Sequence, residues 1–329
     1  MSVEAVVDQR TGVSVRARLV STAARLMVRP LLTYWPLTGW GMWPLSFLET
    51  AAGLLPPPRG VRFERVDFGG FGGEWARPDS ADASDGVVLY FHGGAFVTCG
   101  VATHRYEVAT IAEACGLPVL SVAYRQLPTV RLSGSLDDCL SVYRGLLAEG
   151  VAADRIVLAG DSAGGYLAFA TALAALAEEL PTPAGIVALS PWLDFDAAAK
   201  LAHRNARRDA YAPVRRLPAL ARLLGADALL DPDSSPVNRS LAGLPPVLIM
   251  AAEGEMLLCD AELMAQRLAA ADVPVTLQIW EGQVHAFPIL VNLVPEARAA
   301  IQEIATFVRA RIAPTVTVAP GVATSSLAG

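Results

Sequence analysis

The chain has 329 residues, 53% of them hydrophobic and 18% charged, with a net charge of −6. This length and apolar content suit one large α/β domain carrying an insertion, or at most two small domains. No basic run of useful length exists, which excludes nucleic acid as the partner.

Taken in chain order, the N-terminus holds Glu4 and Asp8 and no early apolar run, unlike a secretory signal. Residues 12–55 read as helical segments broken by proline. Within them, residues 26–55 are very apolar, but Pro30, Pro36, Pro44 and several glycines make a poor spanning helix. Residues 1–58 are therefore expected to form an N-terminal helical lid segment packed on the domain. A lid that also makes weak membrane or lipid contact is the sharper alternative. The proline triplet at 56–58 marks a boundary. After it, VRFERVDF (61–68) alternates like a strand, and VVLYF (87–91) has the continuous apolar pattern of a strand buried on both faces. Helices over 104–115, 135–150 and 162–180 then alternate with strands over 117–124 and 155–160. Strands follow at 184–190 and 245–252, then a helix at 261–271, a strand at 273–280 and a closing helix at 295–312. This order implies an α/β fold with a mostly parallel central sheet flanked by helices. A basic, helix-prone stretch interrupts the order from residue 196 and is taken as a lid insertion over 196–225. The core is then expected over 59–195 and 226–312, with 313–329 as a disordered tail.

The chemistry centres on Gly160-Asp161-Ser162-Ala163-Gly164-Gly165, between a predicted strand and a long predicted helix. A serine in a sharp strand-to-helix turn presents its hydroxyl, flanking glycines let the two elements approach, and the helix N-terminus favours developing negative charge. Ser162 is the candidate nucleophile; its plainer role is a helix N-cap. A serine hydroxyl needs a base. Of His92, His104, His203 and His285, only His285 follows the last predicted strand, as the serine–acid–histidine chain order of this fold requires. The histidine needs an acid to orient it. Glu253, Glu255 and Asp260 all stand just past the strand 245–252. Glu255 has the favoured loop position, Asp260 is placed to cap helix 261–271, and Glu253 lies close to the strand end. His92-Gly93-Gly94-Ala95 follows strand 87–91, where backbone N–H groups can face a carbonyl oxygen. Gly93 and Gly94, with Ala163 after the nucleophile, are the candidate oxyanion donors. Cys99, Cys115, Cys139 and Cys259 are scattered, without a CxxC pair or a Cys/His cluster, so neither a disulfide framework nor a zinc site is expected. The chemistry calls for no cofactor and no metal.

Together these motifs resemble the hormone-sensitive-lipase family of bacterial esterases, within the α/β-hydrolase superfamily. HGGA at 92–95 is similar to the family's HGGG, YRQLPT at 124–129 to its YRLAPE, and GDSAGG at 160–165 matches outright. LAGLPPVLI (241–249), EMLLCDAELMAQRL and VHAF are similar to its acid and histidine blocks, so the resemblance runs from about 60 to about 312. It implies the α/β-hydrolase fold and a serine carboxylesterase acting on short- to medium-chain acyl esters through an acyl-enzyme. Glu255 stands where the family has its catalytic aspartate, which supports Glu255 as the acid. Ala95 replaces the third oxyanion glycine, and Thr129 replaces the glutamate of YRLAPE. Relatives with a glutamate in the acid block include some that hydrolyse lactones, so the resemblance keeps a lactone substrate open.

Specificity is expected from the two lid segments. Trp35, Trp40, Trp43 and Phe47 are candidates to line the pocket, and Trp192, just past a strand end, to wall it. Arg207, Arg208, Arg215 and Arg216 read first as a solvated face and second as a preference for anionic substrates. The expected partner is a small-molecule ester or lactone. A homodimer through helix 295–312 and its adjoining strand, and a cytoplasmic location with membrane association as the alternative, are further expectations. Outside the enzyme class stand a non-catalytic ligand-binding protein on the same fold and a membrane-associated lipid-binding protein.

Overall fold

A computed structural model describes residues 4–36, 46–79, 86–211, 213–225 and 231–312. The expected lid residues Trp40 and Trp43, and the tail 313–329, lie outside these residues. The chain opens with strand β1 (Val6–Arg10) and helix α1 (Val15–Ala23), which runs through a π-helical turn (Ala24–Val28) into α2 (Arg29–Tyr34). Next come α3 (Ser46–Gly53), β2 (Val61–Asp67), β3 (Gly72–Pro78), β4 (Val87–Phe91), α4 (Val101–Cys115), β5 (Val119–Ala123) and α5 (Leu132–Ala148). β6 (Ile156–Asp161), α6 (Ala163–Ala177) and β7 (Gly185–Leu189) lead to the inserted helices α7 (Ala198–Ala202) and α8 (Leu217–Leu224). β8 (Val247–Ala252), α9 (Leu258–Ala270), β9 (Val275–Trp280) and α10 (Pro295–Ile312) complete the described chain.

The strands form one sheet in the order β1-β9-β8-β7-β6-β4-β5-β3-β2. Only the β2–β3 and β3–β5 pairs are antiparallel. The buried central strands explain why the sequence reads as apolar runs. In β4, Val87, Leu89 and Phe91 enter one core layer while Val88 and Tyr90 enter the other. In β6, Ile156 and Leu158 divide from Val157 and Ala159 in the same way. With a period of two and helices on both sides, each face must be apolar. Tyr143 of α5, Leu167 of α6 and Leu268 of α9 cover the first face; Ile111 of α4 and Ile304 of α10 cover the second.

β1 changes one expectation. It pairs in parallel with β9 from Val6↔Thr276 to Arg10↔Trp280. Its pairing covers β9, so the strand adjoining helix 295–312 is not the edge of the sheet; β1 is.

Candidate active site

Ser162 sits between β6 and α6 with φ 51° and ψ −112°, a backbone conformation that L-residues avoid. The turn is tight enough to demand glycine on both sides. A Cβ on Gly160 would come within 2.5 Å of the Phe91 carbonyl oxygen, and one on Gly164 would overlap the same atom. The backbone is locked from below, where Ser162 N donates to Leu189 O at 2.7 Å and Trp192 N donates to Ser162 O at 3.1 Å.

The loop after β9 carries His285 to the serine. His285 Nε2 lies 2.9 Å from Ser162 Oγ, and Nδ1 lies 2.7 Å from Glu255 Oε2. The other Glu255 oxygen accepts the Ala252 N–H at 3.0 Å, so the buried carboxylate is fixed at both ends. Burial disfavours the imidazolium, but the hydrogen bond and charge of Glu255 outweigh it and hold the His285 pKa above the ordinary value. Of the other acid candidates, Glu253 is exposed, with its N–H on Trp280 O. Asp260 is buried in the first turn of α9, where it pairs with Lys200 at 2.6 Å and accepts the Leu193 and Asp194 N–H groups at 3.0 Å. It does not cap the helix as expected: the helix starts at Leu258 with Leu257 as its N-cap, and Asp260 turns away to Lys200 and the backbone after β7.

The oxyanion loop departs from the sequence expectation at one residue. Gly93 donates its N–H to Asp161 Oδ1 at 2.8 Å and so directs that donor at the layer beneath Ser162. Gly94 and Ala95 follow, both at positive φ (116° and 55°). Among the described residues, no acceptor lies on the N–H groups of Gly94, Ala95 or Ala163. A glycine run announces a backbone that can turn; it does not reveal which N–H turns where.

Beneath the elbow lies a polar cluster that sequence reading left unused. Asp161 accepts from Tyr90 Oη at 3.0 Å and faces His104 Nε2 at 3.2 Å. Burial works against its charge, yet His104 keeps Asp161 ionised and below its usual range, while Asp161 overcomes the burial of His104 and raises its pKa. Burial, reinforced by the charge of His104, drives His92 down to about 3, and its neutral ring stacks on Tyr124 at 4.3 Å. Burial, reinforced by Asp161, pushes Glu107 up to about 8, which makes it a neutral acid at physiological pH. His104, Glu107 and Asp161 could crowd a cation, but His104 and Asp161 already neutralise each other.

The inserted segment reaches back to the acid loop. Asn205 Nδ2 donates to Glu253 O at 2.7 Å and to Glu255 O at 2.9 Å, and Asp209 Oδ2 accepts the Met256 N–H at 2.8 Å. Tyr211 places its ring 5.9 Å from that of His285. None of these three residues carries a sequence signal, because the contacts bridge more than 40 residues. A cavity of about 340 Å³ beside His285 and Glu255 is walled by Ser21 and Arg25 of the N-terminal segment and by Asn205 and Arg208 of the insertion. Trp192 is buried, its ring 4.8 Å from Phe195 and 6.4 Å from Phe96. Trp35 ends α2, where its carbonyl accepts from Arg216.

A family model described as alpha/beta hydrolase fold matches residues 88–289. The chain is 38% identical over 309 residues to the carboxylesterase/phospholipase LipF of Mycobacterium tuberculosis, spanning 91% of this chain and 83% of that one. It is 37% identical over 296 residues to the esterase LipU of the same organism, spanning 86% and 99%. Among solved structures, an esterase from the bacterial hormone-sensitive lipase family superposes with a TM-score of 0.82 at 33% identity, covering 92% of this chain and 100% of that one.

Proposed function

The chain belongs to the α/β-hydrolase fold family, in its hormone-sensitive-lipase branch of bacterial esterases, and from that premise we propose that it hydrolyses short- to medium-chain acyl esters through Ser162, His285 and Glu255. It is a carboxylic ester hydrolase, as the named activities of its relatives indicate, which sets aside the non-catalytic reading. The observation that carries the triad is the unbroken line of hydrogen-bond distances, 2.9 Å and 2.7 Å, from serine through histidine to glutamate.

In this reading Ser162 Oγ attacks the ester carbonyl carbon as its proton passes to His285 Nε2. Glu255 accepts the Nδ1 proton bond, which fixes the tautomer and stabilises the imidazolium. The tetrahedral oxyanion is held by the backbone N–H groups of Gly94, Ala95 and Ala163; each such donor is worth about 3 kcal/mol in a transition state. The C–O bond to the alcohol then breaks, and His285 returns its proton to the leaving oxygen. Water attacks the acyl-Ser162 carbonyl, gives a proton to His285, and the acid departs as the proton returns to Oγ. The N-terminal segment and the insertion act as the lid, since together they wall the cavity beside the relay. A lactone ring would open by the same steps with its alcohol still attached.

The test is hydrolysis of p-nitrophenyl esters from acetate to palmitate. Ser162→Ala and His285→Ala should each lower kcat by roughly 10⁴-fold or more, with Glu255→Ala close behind. Asp260→Asn should leave kcat within about tenfold, because its contacts serve the structure. A larger loss for Asp260→Asn than for Glu255→Ala would overturn the assignment of the acid. A peak rate on the long-chain esters would overturn the chain-length reading.

A further inference from the structure

We infer that the outer face of the lid is a docking surface for an anionic phospholipid bilayer. Two independent observations point there. The first is shape and polarity. From Val15 to Tyr34 the chain is one continuous helical run, with Ala17 and Ala24 buried against the domain. On the opposite side, Val15, Leu19, Leu26, Met27, Leu31 and Tyr34 are between 54% and 85% exposed. They step along the run by three, four or seven residues, with Leu26 and Met27 adjacent, and with the π-helical turn absorbing the drift they lie along one side as a stripe. A water-facing helix would carry polar residues there. An aromatic ring at the end of such a stripe suits the headgroup level of a membrane interface.

The second observation is charge. Residues 11–48 hold four arginines and no acidic residue, a net of +4. Residues 197–225 hold one lysine, six arginines and one aspartate, a net of +6. Over their full bounds, 1–58 and 196–225, the two lid segments carry +2 and +5, a net of +7 in a chain of net charge −6, which leaves −13 on the rest. The two halves form one unit: Arg25 donates to Arg208 O at 2.6 Å, Arg29 to Arg207 O at 3.1 Å, and Arg216 to Trp35 O. Arg16, Arg18, Arg204, Arg207, Arg215 and Arg222 are exposed and have no carboxylate partner among the described residues. Apolar residues on one side of a helix with arginines around them is the composition of an interfacial helix that lies on a charged bilayer. A neutral lipid surface needs no such charge segregation. A second copy of this chain would bring an equally cationic lid against it. No described helix is long and apolar enough to cross a membrane, so the contact is peripheral.

The test uses the full chain and flotation with vesicles of phosphatidylcholine alone, or containing about a third phosphatidylglycerol. Partition onto the anionic vesicles should exceed that onto neutral ones at least ~tenfold and should collapse near 1 M salt, where charges are screened beyond about 3 Å. Leu26→Glu with Met27→Glu should reduce partition ~tenfold or more. Arg16→Gln with Arg18→Gln should reduce it roughly 25-fold, at about fivefold per arginine. Thermal melts check that each variant remains folded, and Leu19→Gln serves if the double glutamate melts early. Equal binding to both vesicle types, or binding that survives both double variants, overturns the inference. So does a light-scattering mass that halves in Leu26→Glu with no vesicle binding, which would assign the stripe to self-association. Ser162→Ala should bind as the unaltered chain does, so this result stands apart from the assignment of the triad.

Discussion

His285 works against its own surroundings. Its side chain is 11% exposed, and burial alone would lower its pKa; Glu255 at 2.7 Å reverses the sign and raises it. As the proposed base, His285 must be neutral to take a proton, so kcat/KM on a neutral soluble ester should rise with pH through a limb above the ordinary histidine value of about 6.5. Glu255→Gln keeps a hydrogen-bonding group but removes the charge, and should move that limb downward while lowering kcat. A limb that stays in place would mean that Glu255 does not govern His285. The same shift makes a linked contribution to stability, present below about pH 6.5 and lost as pH rises through the raised folded value. Ser162, His285 and Glu255 were all visible as candidates in the sequence because motif order and loop position locate them. Gly93 was visible as a glycine, but its partner was not. Its N–H is directed by Asp161, a side chain 68 residues away, and no local pattern encodes that direction. Asn205, Asp209 and Tyr211 were hidden for the same reason.

Among the elements, those buried on both sides were the most legible. VVLYF and RIVLAG read as central strands because packing demands an apolar residue at each of positions 87–91 and 156–159. β1 was illegible. VVDQR mixes polar with apolar residues, Val6 remains 58% exposed, and the strand exists through its pairing with β9 at the far end of the chain. Glycines separate the two kinds of element constraint within single helices. In α6, a Cβ on Gly164 would overlap backbone of β4, which cannot give way. Gly164→Ala should therefore cost about 3 kcal/mol or more in a denaturant unfolding curve. In α5, Gly145 is exposed and nothing lies within 4 Å of the Cβ position. Gly145→Ala should stabilise by up to about 1 kcal/mol, since alanine pays less backbone entropy inside a helix. If both substitutions were neutral, the close approach of α6 to β4 would be wrong.

At the scale of the whole molecule, the N-terminal segment and the insertion are net cationic over an anionic remainder, and a buried ion pair joins the insertion to the core. Lys200 of α7 has no exposed surface; its Nζ reaches Asp260 Oδ1 at 2.6 Å and the carbonyls of Asp194 and Asp196 at 2.8 and 3.0 Å. Asp260 in turn holds the backbone after β7 through the Leu193 and Asp194 N–H groups. The pair thus ties the insertion, the loop beneath Ser162 and the start of α9 into one unit. Removing one partner leaves the other charged and buried, which typically costs about 3–5 kcal/mol. Burial already raises Asp260 to about 6 despite Lys200. An acid raised above its unfolded value of about 3.9 binds protons more readily when folded, so its contribution to stability declines as pH rises from about 4 to about 6. Without the lysine, Asp260 should rise further, and the decline should extend to higher pH. Lys200→Met is therefore expected to be strongly destabilised at pH 8 and partly recovered on acidification toward pH 5, as unfolding curves at both values would show. Adding Asp260→Asn should recover stability at pH 8, because the neutral side chain can still accept the Leu193 and Asp194 N–H groups. A single variant whose loss does not depend on pH would instead trace the effect to packing of the lysine stem, and the pair would then not be what fastens the insertion to the core.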